Sequence, residues 1–394
     1  MFRLTLKGVA ANKVRYWMTG LAILIAVAFI AGTLVFTDTI RDTFNGLFND
    51  IYQGTAAVVR GEQYSSTSHF STERARISES LVGPVEHTPG VQAAAVTVSG
   101  YAQLVGTNGK PIGNPGMGAP TLGEAWTPVR ALSQAHLLPG GHPPRTSSQV
   151  VIDKHAADVG HLQVGQQVTV LTQHAPKRYT ITGIILWGTA DSPLGATLTY
   201  FDLPTAQRVL GQPGKVDEID VQAAPGYSQD QVVHNLQRTL RSVKGVQVVS
   251  GTAVISESQN NLGKTLGFLN TFLLVFALVA LFVGAFLIYN TFSIILAQRQ
   301  RELALLRAVG ASRRQVLRSV VGESAVVGLI ASAIGLVAGV GLAALLRAGM
   351  AVLGFDIPAT GLVVQLRTVI VALVVGTVVT VVSAYLPARR ASNT

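Results

Sequence analysis

The sequence TLGFLNTFLLVFALVALFVGAFLIYNTFSIILAQ, residues 265–298, runs for 34 residues without a charged side chain. A helix needs roughly 20 apolar residues to cross the hydrocarbon core of a bilayer, so this stretch predicts a membrane-spanning helix. Three further uncharged stretches are long enough to span: residues 16–37, 324–346 and 368–388. The sequence therefore predicts four transmembrane helices.

The charge of the chain is divided unevenly between its membrane and soluble parts. Residues 38–265 have an ordinary soluble composition, with 16 basic and 17 acidic side chains. The remaining residues carry 14 basic and 3 acidic side chains, so the whole excess of the net charge of +10 lies beside the spans. A nucleic-acid-binding surface would instead place its basic residues on the soluble part. We therefore predict no nucleic-acid partner.

Most of these basic residues lie in three clusters. The clusters are Arg3, Lys7, Lys13 and Arg15 before the first span, Arg299, Arg301, Arg307, Arg313, Arg314 and Arg318 between the second and third, and Arg389 and Arg390 after the fourth. By the positive-inside rule, both termini and the second loop are cytoplasmic. Residues 38–265 then form an extracytoplasmic domain.

The predicted fold is an α-helical membrane protein with four transmembrane helices and an α+β extracytoplasmic domain. Residues 1–37 comprise an N-terminal interfacial helix and the first transmembrane helix, and residues 266–394 contain the other three. Apolar side chains keep a helical spacing beyond the first span and before the second, which favours a helical stalk. The alternative is a pair of tilted spans with ordinary juxtamembrane ends.

A weak internal repeat organises the extracytoplasmic domain. A helix followed by Gly-Val and a strand is predicted at residues 73–98, with the helix at 73–86, and again at residues 228–250. We expect two βαβ-like halves, residues 52–100 and 216–252. Residues 101–215 between them are rich in Gly, Pro and short alternating runs, which predicts an inserted β-rich subdomain.

The chain offers no residue combination that predicts catalysis or metal binding. It contains no cysteine, which excludes thiol enzymes and cysteine-ligated metals. Five histidines fall between residues 136 and 174, but no two are four residues apart and no carboxylate cluster accompanies them. A Gly-x-Ser-x-Gly elbow is also absent from the sequence. We predict a non-catalytic chain without catalytic, cofactor-binding or metal-binding residues.

The loop between the second and third spans predicts a short separate helix. Residues 299–309 are strong helix formers, and Gly310 supplies a stop. Ser312 and Gln315 then fit a capping box for the next helix. Two interpretations of the loop leucines are open: they lie at the lipid surface, or they dock into a groove on a cytoplasmic protein.

The third span carries small residues at every fourth position. They are Ala331, Gly335, Gly339 and Ala343. Small residues at this spacing allow close helix packing in lipid, so they predict a packing seam within the protein or across a dimer.

Four further motifs stand out in the sequence: Tyr289–Phe292, Gln300–Ser312, Glu323–Ser324 and Tyr385–Ala391. Together they resemble the signature of the FtsX/MacB-type ABC permeases, the mechanotransmission (type VII) family. The resemblance implies that residues 299–311 form a coupling helix held by a cytoplasmic ATPase dimer. The implied contact residues are Arg301, Glu302, Leu303, Leu306, Arg307, Gly310 and Ala311.

The same resemblance implies a permease subunit of a bacterial cell membrane that works on substrates outside the membrane. ATP and Mg belong to the partner ATPase, and the permease moves its extracytoplasmic domain to export or extract a peptide, lipid, lipoprotein or hydrophobic drug. A second permease copy is expected, as a homodimer, a heterodimer or the second half of a longer chain. An extracytoplasmic protein or lipoprotein is a further expected partner. The alternative function is a membrane regulator or scaffold that activates a cell-wall hydrolase or senses a peptide without transporting it.

Overall fold

The structure is a computed structural model that describes residues 13–65, 73–113, 119–298, 300, 305, 308–309, 312–352 and 361–391. The chain divides into two compact units. One contains the described residues within 1–42, 266–348 and 360–394, and the other contains those within 43–265 and 349–359. We call them the membrane unit and the extracytoplasmic unit.

The described helices and strands are, in chain order, α1 (Lys13–Ile51), β1 (Ala57–Gly61), β2 (Gln63–Ser65), β3 (Glu73–Arg74), β4 (Ile77–Ser78), α2 (Val82–Glu86), β5 (Val91–Thr97), β6 (Ser99–Tyr101), β7 (Gln103–Val105), β8 (Thr121–Ala125), β9 (Ala135–Leu137), β10 (Gln149–Asp153), α3 (Lys154–Gly160), β11 (Gln167–Leu171), β12 (Lys177–Trp187), β13 (Thr197–Phe201), α4 (Leu203–Val209), β14 (Lys215–Val216), β15 (Glu218–Ala223), α5 (Gln229–Thr239), β16 (Val246–Ser250), α6 (Gly251–Gln298), α7 (Arg313–Val352) and α8 (Leu366–Ala391). Short 3-10 turns lie at Glu79–Leu81 and Arg130–Leu132.

Four helices, α1, α6, α7 and α8, are long and apolar enough to cross a membrane. They coincide with the four uncharged stretches, so the four predicted spans are confirmed. Two of them extend well beyond the uncharged residues: α1 continues to Ile51, and α6 begins at Gly251. The boundary between the two units falls inside both of these helices.

The extracytoplasmic unit contains a four-stranded antiparallel sheet with the strand order β16-β1-β15-β5. Two βαβ segments, β1–α2–β5 and β15–α5–β16, interleave their strands in this sheet, which is the split βαβ arrangement. Residues alternate across β15: Ile219 and Val221 are buried in the core together with Val232 and Leu236 of α5. Glu218 and Asp220 therefore lie on the opposite face of the sheet.

The prediction of a helix over residues 73–86 was wrong in its first half. This segment forms β3 and β4, and helical structure begins only at Glu79. Ile77 is buried and pairs with Val216 of β14, and Arg76 Nε donates a 2.7 Å hydrogen bond to Asp217 Oδ1. These contacts with a segment far along the chain override the local helical pattern. The second predicted helix is present as α5, with Ser228 and Gln231 forming a capping box.

The chain between β5 and β15 forms a second, mixed sheet of eight strands. Seven follow the order β6-β8-β13-β10-β12-β11-β7, and β9 pairs with β12. The pairs β10/β12 and β13/β8 are parallel, and the remaining ones are antiparallel. Tyr179 and Phe201 pack edge to face in its core, with ring centroids 5.3 Å apart. This sheet is the β-rich insertion that the sequence predicts.

Candidate functional site

The predicted coupling residues Arg301, Glu302, Leu303, Leu306, Arg307, Gly310 and Ala311 lie outside the described residues. Two other residues of the loop, Leu305 and Val309, are described. The Val309 N–H donates a 3.1 Å hydrogen bond to the Leu305 carbonyl, which is one helical turn. Leu305 is 67% exposed and Val309 is 89% exposed. The sequence reasoning did not single out this apolar pair, although its spacing of four residues was available as a signal.

The ends of three helices form a packed frame beside this segment. Leu296 of α6, Val316 and Val320 of α7 and Ala388 of α8 make one buried cluster. The capping box at the start of α7 is confirmed, because Gln315 N donates to Ser312 Oγ at 3.3 Å and Ser312 N donates to Gln315 Oε1 at 2.8 Å. Helix α7 thus begins with a side-chain cap directly after the predicted coupling segment in the sequence.

The four small residues of the third span are all buried within the membrane unit. A Cβ atom at Gly339 would lie 2.7 Å from Ala31 Cβ, and one at Gly335 would lie 2.9 Å from Val27 Cβ. These two glycines therefore face α1 within the same chain. Ala331 belongs to the cluster that includes Val27 and Ala31, and Ala343 is completely buried.

A second close contact, which the sequence reasoning missed, joins α7 to α8. A Cβ atom at Gly328 would lie 2.9 Å from Thr380 Cβ, and one at Gly376 would lie 2.1 Å from Ser332 Oγ. The sequence signals for this contact are Gly328 and Ser332, four residues apart in α7, and Gly376 in an otherwise Val-rich span. Both glycines allow backbone approach that a larger residue would prevent.

One buried acidic residue lies at the end of the first span. Asp38 is only 2% exposed, and Arg367 at the start of α8 donates a hydrogen bond to its Oδ1. Nearby, Thr39 Oγ1 accepts a 3.0 Å hydrogen bond from the Val363 N–H. These contacts join α1 to the segment that precedes α8.

In the extracytoplasmic unit, Glu257 near the start of α6 binds two arginines. Arg74 Nη2 donates a 2.6 Å hydrogen bond to Glu257 Oε1, and Arg60 of β1 donates to Oε2. Partial burial alone would raise the pKa of Glu257, but the hydrogen bonds and charges of the two arginines outweigh it and lower this pKa. The carboxylate therefore stays ionised and ties α6 to the four-stranded sheet.

The extracytoplasmic unit also contains a partly open cavity of about 290 Å³. Its apolar and aromatic walls come from the end of α1, from β5, β8, β13 and β15, and from the loops after β8 and β12. The lining includes Phe44, Leu47, Ile51, Tyr52, Ala95, Leu122, Leu132, Trp187, Leu194, Leu198 and Tyr200. Three carboxyl groups, those of Glu124, Glu218 and Asp220, line the same space.

Burial dominates the electrostatics of this cavity. It raises the pKa of Glu124, Glu218 and Asp220, and the proximity of Glu218 and Asp220 on β15 raises the pKa of Glu218 further. The Tyr200 hydroxyl partly offsets the effect of burial and lowers the pKa of Glu124. Thr97 Oγ1 donates a 2.9 Å hydrogen bond to Asp220 Oδ2.

Within the part of the chain that the structure describes, no group of three or more His, Asp or Glu side chains is placed to hold a metal ion. The arrangement instead provides close helix packing, ion pairs at helix ends and one apolar cavity with acidic groups.

Comparison with protein families gives two matches. The family model described as the MacB-like periplasmic core domain matches residues 16–239. The model described as the FtsX-like permease C-terminal matches residues 274–394. The first match covers more than half of the chain.

Curated relatives are permeases or contain one. Macrolide export ATP-binding/permease protein MacB 1 of Yersinia pestis bv. Antiqua (strain Antiqua) is 25% identical, over 98% of this chain and 58% of that protein. An uncharacterized ABC transporter permease of Methanocaldococcus jannaschii is 24% identical, over 61% of each. An uncharacterized ABC transporter permease protein of Mycobacterium tuberculosis is 30% identical, over 49% of this chain and 22% of that one. The chain thus spans between about a fifth and three fifths of these relatives.

Among solved structures, the periplasmic region of MacB from Actinobacillus actinomycetemcomitans matches with a TM-score of 0.38 and 14% identity. That match covers 53% of this chain and 96% of the other. The extracellular domain of the noncanonic ABC-type transporter YknZ from Gram-positive bacteria matches with a TM-score of 0.32 and 10% identity, covering 49% of this chain and 99% of the other.

Proposed function

Since the chain belongs to the family with a MacB-like periplasmic core domain, we propose that this ABC permease couples ATP hydrolysis on a separate cytoplasmic ATPase dimer to movement of its extracytoplasmic domain. The ATP-binding function named for the relative MacB 1 supports such a partner. ATP and Mg bind the ATPase, and this chain contributes no catalytic residue. The work done outside the membrane is export or extraction of a peptide, lipid, lipoprotein or hydrophobic drug.

The observation that carries the proposal is the exposed pair Leu305 and Val309. Two large apolar side chains on one helical turn favour being covered, because apolar surface removed from water contributes roughly 25 cal/mol per Å². The frame of Leu296, Val316 and Ala388 holds the neighbouring helix ends together. A force applied to the loop would therefore reach three helices of the membrane unit. The basic clusters on this loop and at both termini support a cytoplasmic location.

The helix α6 supports the transmission step. It is one helix of 48 residues, from Gly251 to Gln298, without an internal break. Near the first residues of α6, Glu257 binds Arg60 of the four-stranded sheet and Arg74 of β3, and the last residues of α6 precede the coupling loop. A displacement of the cytoplasmic end can thus act on the sheet through a continuous element, provided that nucleotide favours one of two arrangements.

ATPase stimulation in the reconstituted complex tests the coupling. We expect Arg301→Glu with Leu303→Asp to reduce the stimulation of the copurifying ATPase by about tenfold or more, since tenfold corresponds to roughly 1.4 kcal/mol. The matched control is Arg145→Glu with Val159→Asp, which makes the same charge reversal and a similar aliphatic-to-acidic change at exposed sites of the extracytoplasmic unit. Equal stimulation by both double variants would contradict the coupling assignment. ATP-dependent export by the complex separates a transporter from a regulator that activates a hydrolase without export.

A further inference from the structure

The cavity of the extracytoplasmic unit contains carboxyl groups that packing of the fold does not require. Glu218 and Asp220 occupy neighbouring positions on one face of β15, and Glu124 of β8 lines the same space. Carboxyl groups are rarely enclosed by apolar walls unless a cation or a set of donors compensates them. Three of them share a cavity whose other walls are largely aliphatic and aromatic.

Within the described residues, no cation binds these carboxyl groups directly, although the charges of Arg60 and Arg74 act to lower the pKa of Glu218, which burial raises. Arg60 is the cross-strand partner of Glu218, but it directs its hydrogen bond to Glu257 instead. Arg74 also binds Glu257. Asp220 Oδ1 is fully buried and has no hydrogen-bond partner among the described residues, although Oδ2 accepts one from Thr97. A buried carboxylate oxygen without a donor carries a free-energy cost, because it has lost its hydrogen bonds to water.

A ligand with a positive charge would remove this cost. Its ammonium group would supply the donors that Asp220 and Glu218 lack, and its charge would favour their ionised forms. The remaining walls, which include Leu122, Trp187 and Leu198, would cover an apolar body. A volume of about 290 Å³ lies near the lower end of ligand cavities, which run from roughly 300 to 1,000 Å³.

We propose that this cavity binds a small organic ammonium ion, with the ammonium group at Glu218 and Asp220 and the apolar body against Leu122, Trp187 and Leu198. The aromatic rings of Trp187 and Tyr200 suit a cation as well as an apolar body. The proposal goes beyond the coupling function, because binding to the cavity is measured without an ATPase.

Binding to the full chain in lipid nanodiscs tests the site with two probes of matched size. The probes are 4-phenylbutylammonium and the neutral 4-phenylbutanol, titrated by calorimetry and by tryptophan fluorescence, with empty nanodiscs subtracted. We expect the ammonium to bind at least about tenfold more tightly than the alcohol. Glu218→Gln with Asp220→Asn should abolish this preference and leave alcohol binding in place, which also shows that the cavity still forms.

Two further variants complete the test. Glu86→Gln with Asp230→Asn removes two exposed carboxylates away from the cavity and should preserve the preference. Leu122→Trp fills the cavity and should weaken both probes. Equal binding of the two probes, absence of binding, or an undiminished preference after neutralising Glu218 and Asp220 would overturn the proposal. Tighter binding of N-acetyllysine methylamide than of phenylbutylammonium would assign the cavity to a protein side chain and overturn it as well.

Discussion

Arg74 donates a 2.6 Å hydrogen bond from Nη2 to Oε1 of Glu257 and thereby joins β3 to helix α6. The other oxygen of the same carboxylate accepts from Arg60 of β1, which is almost completely buried. One side chain of α6 therefore binds two strands of the extracytoplasmic unit. Removal of this carboxylate would leave a buried guanidinium without its partner, which is the costly way to break a buried pair.

Glu257→Gln should lower the free energy of unfolding of the extracytoplasmic unit by about 2–3 kcal/mol, because it weakens two charge-assisted hydrogen bonds. Thermal unfolding followed by tryptophan fluorescence measures the change, and Glu62→Gln, at an exposed position, is the control.

The same carboxylate predicts a pH dependence. The pKa of Glu257 is lowered in the folded state, so the stabilisation that Glu257 provides is present above its unfolded pKa and is lost as pH falls through the folded pKa. The difference between the wild type and Glu257→Gln should therefore begin to shrink as pH falls below about 4.3, the ordinary pKa of glutamate, and should vanish below the folded pKa. A difference that grows on acidification would contradict this ion pair.

Asp153 supports the mixed sheet through both of its carboxylate oxygens. Oδ1 accepts a 2.6 Å hydrogen bond from the Leu198 N–H, and Oδ2 accepts a 3.0 Å hydrogen bond from the Ala156 N–H at the start of α3. Asp153→Asn should destabilise the unit by about 1–3 kcal/mol, because an amide NH2 would face a backbone donor. Asp158→Asn, at an exposed position of the same helix, is the control.

The same residue makes a prediction about pH. Burial raises the pKa of Asp153 to about 7, even though the two backbone hydrogen bonds lower it. A carboxyl group whose pKa is higher in the folded state loses stability as pH rises from its unfolded pKa, near 4, to its folded pKa, near 7. The stability deficit of Asp153→Asn relative to the wild type should therefore be larger at pH 4.5 than at pH 8. Chemical denaturation at the two pH values measures it, and a larger deficit at pH 8 would contradict the direction.

Some features of this structure could be predicted from the sequence, and others could not, for physical reasons. The four spans depend on composition over about 20 residues, which local sequence contains. The helix over 73–86 failed because burial of Ile77 against β14 overrides local propensity. The cavity was not predicted at all, since Glu124 and Glu218 are far apart in the chain and meet only after two sheets form. The coupling residues Arg301 to Ala311 stay a prediction.

Two glycines of α7 form a matched pair for testing its packing. A Cβ atom at Gly339 would lie 2.7 Å from Ala31 Cβ, whereas one at Gly341 has nothing within 4 Å. Gly339→Val should destabilise the membrane unit by about 1–3 kcal/mol through overpacking against α1. Gly341→Val also introduces a β-branched side chain into a helix, with the same loss of rotamer freedom as Gly339→Val, but it causes no clash. It should leave stability nearly unchanged. Thermostability in detergent, followed by size-exclusion chromatography, measures both variants. Similar losses in the two would contradict the α1–α7 contact.

The exposed pair Leu305 and Val309 allows the coupling proposal to be tested without changing any charge of the loop. If the pair is covered by the ATPase, Leu305→Ser with Val309→Ser should weaken association with it by about tenfold or more, because two buried aliphatic side chains contribute roughly 1.5–3 kcal/mol each. If the pair lies only in lipid, the double variant should leave both association and ATPase stimulation unchanged. The control is Leu345→Ser with Val337→Ser, at exposed positions of α7 within the predicted span 324–346. Copurification with the ATPase and stimulated ATP hydrolysis are measured for both double variants. If the ATPase covers the loop pair, only the loop variant should lose association and stimulation.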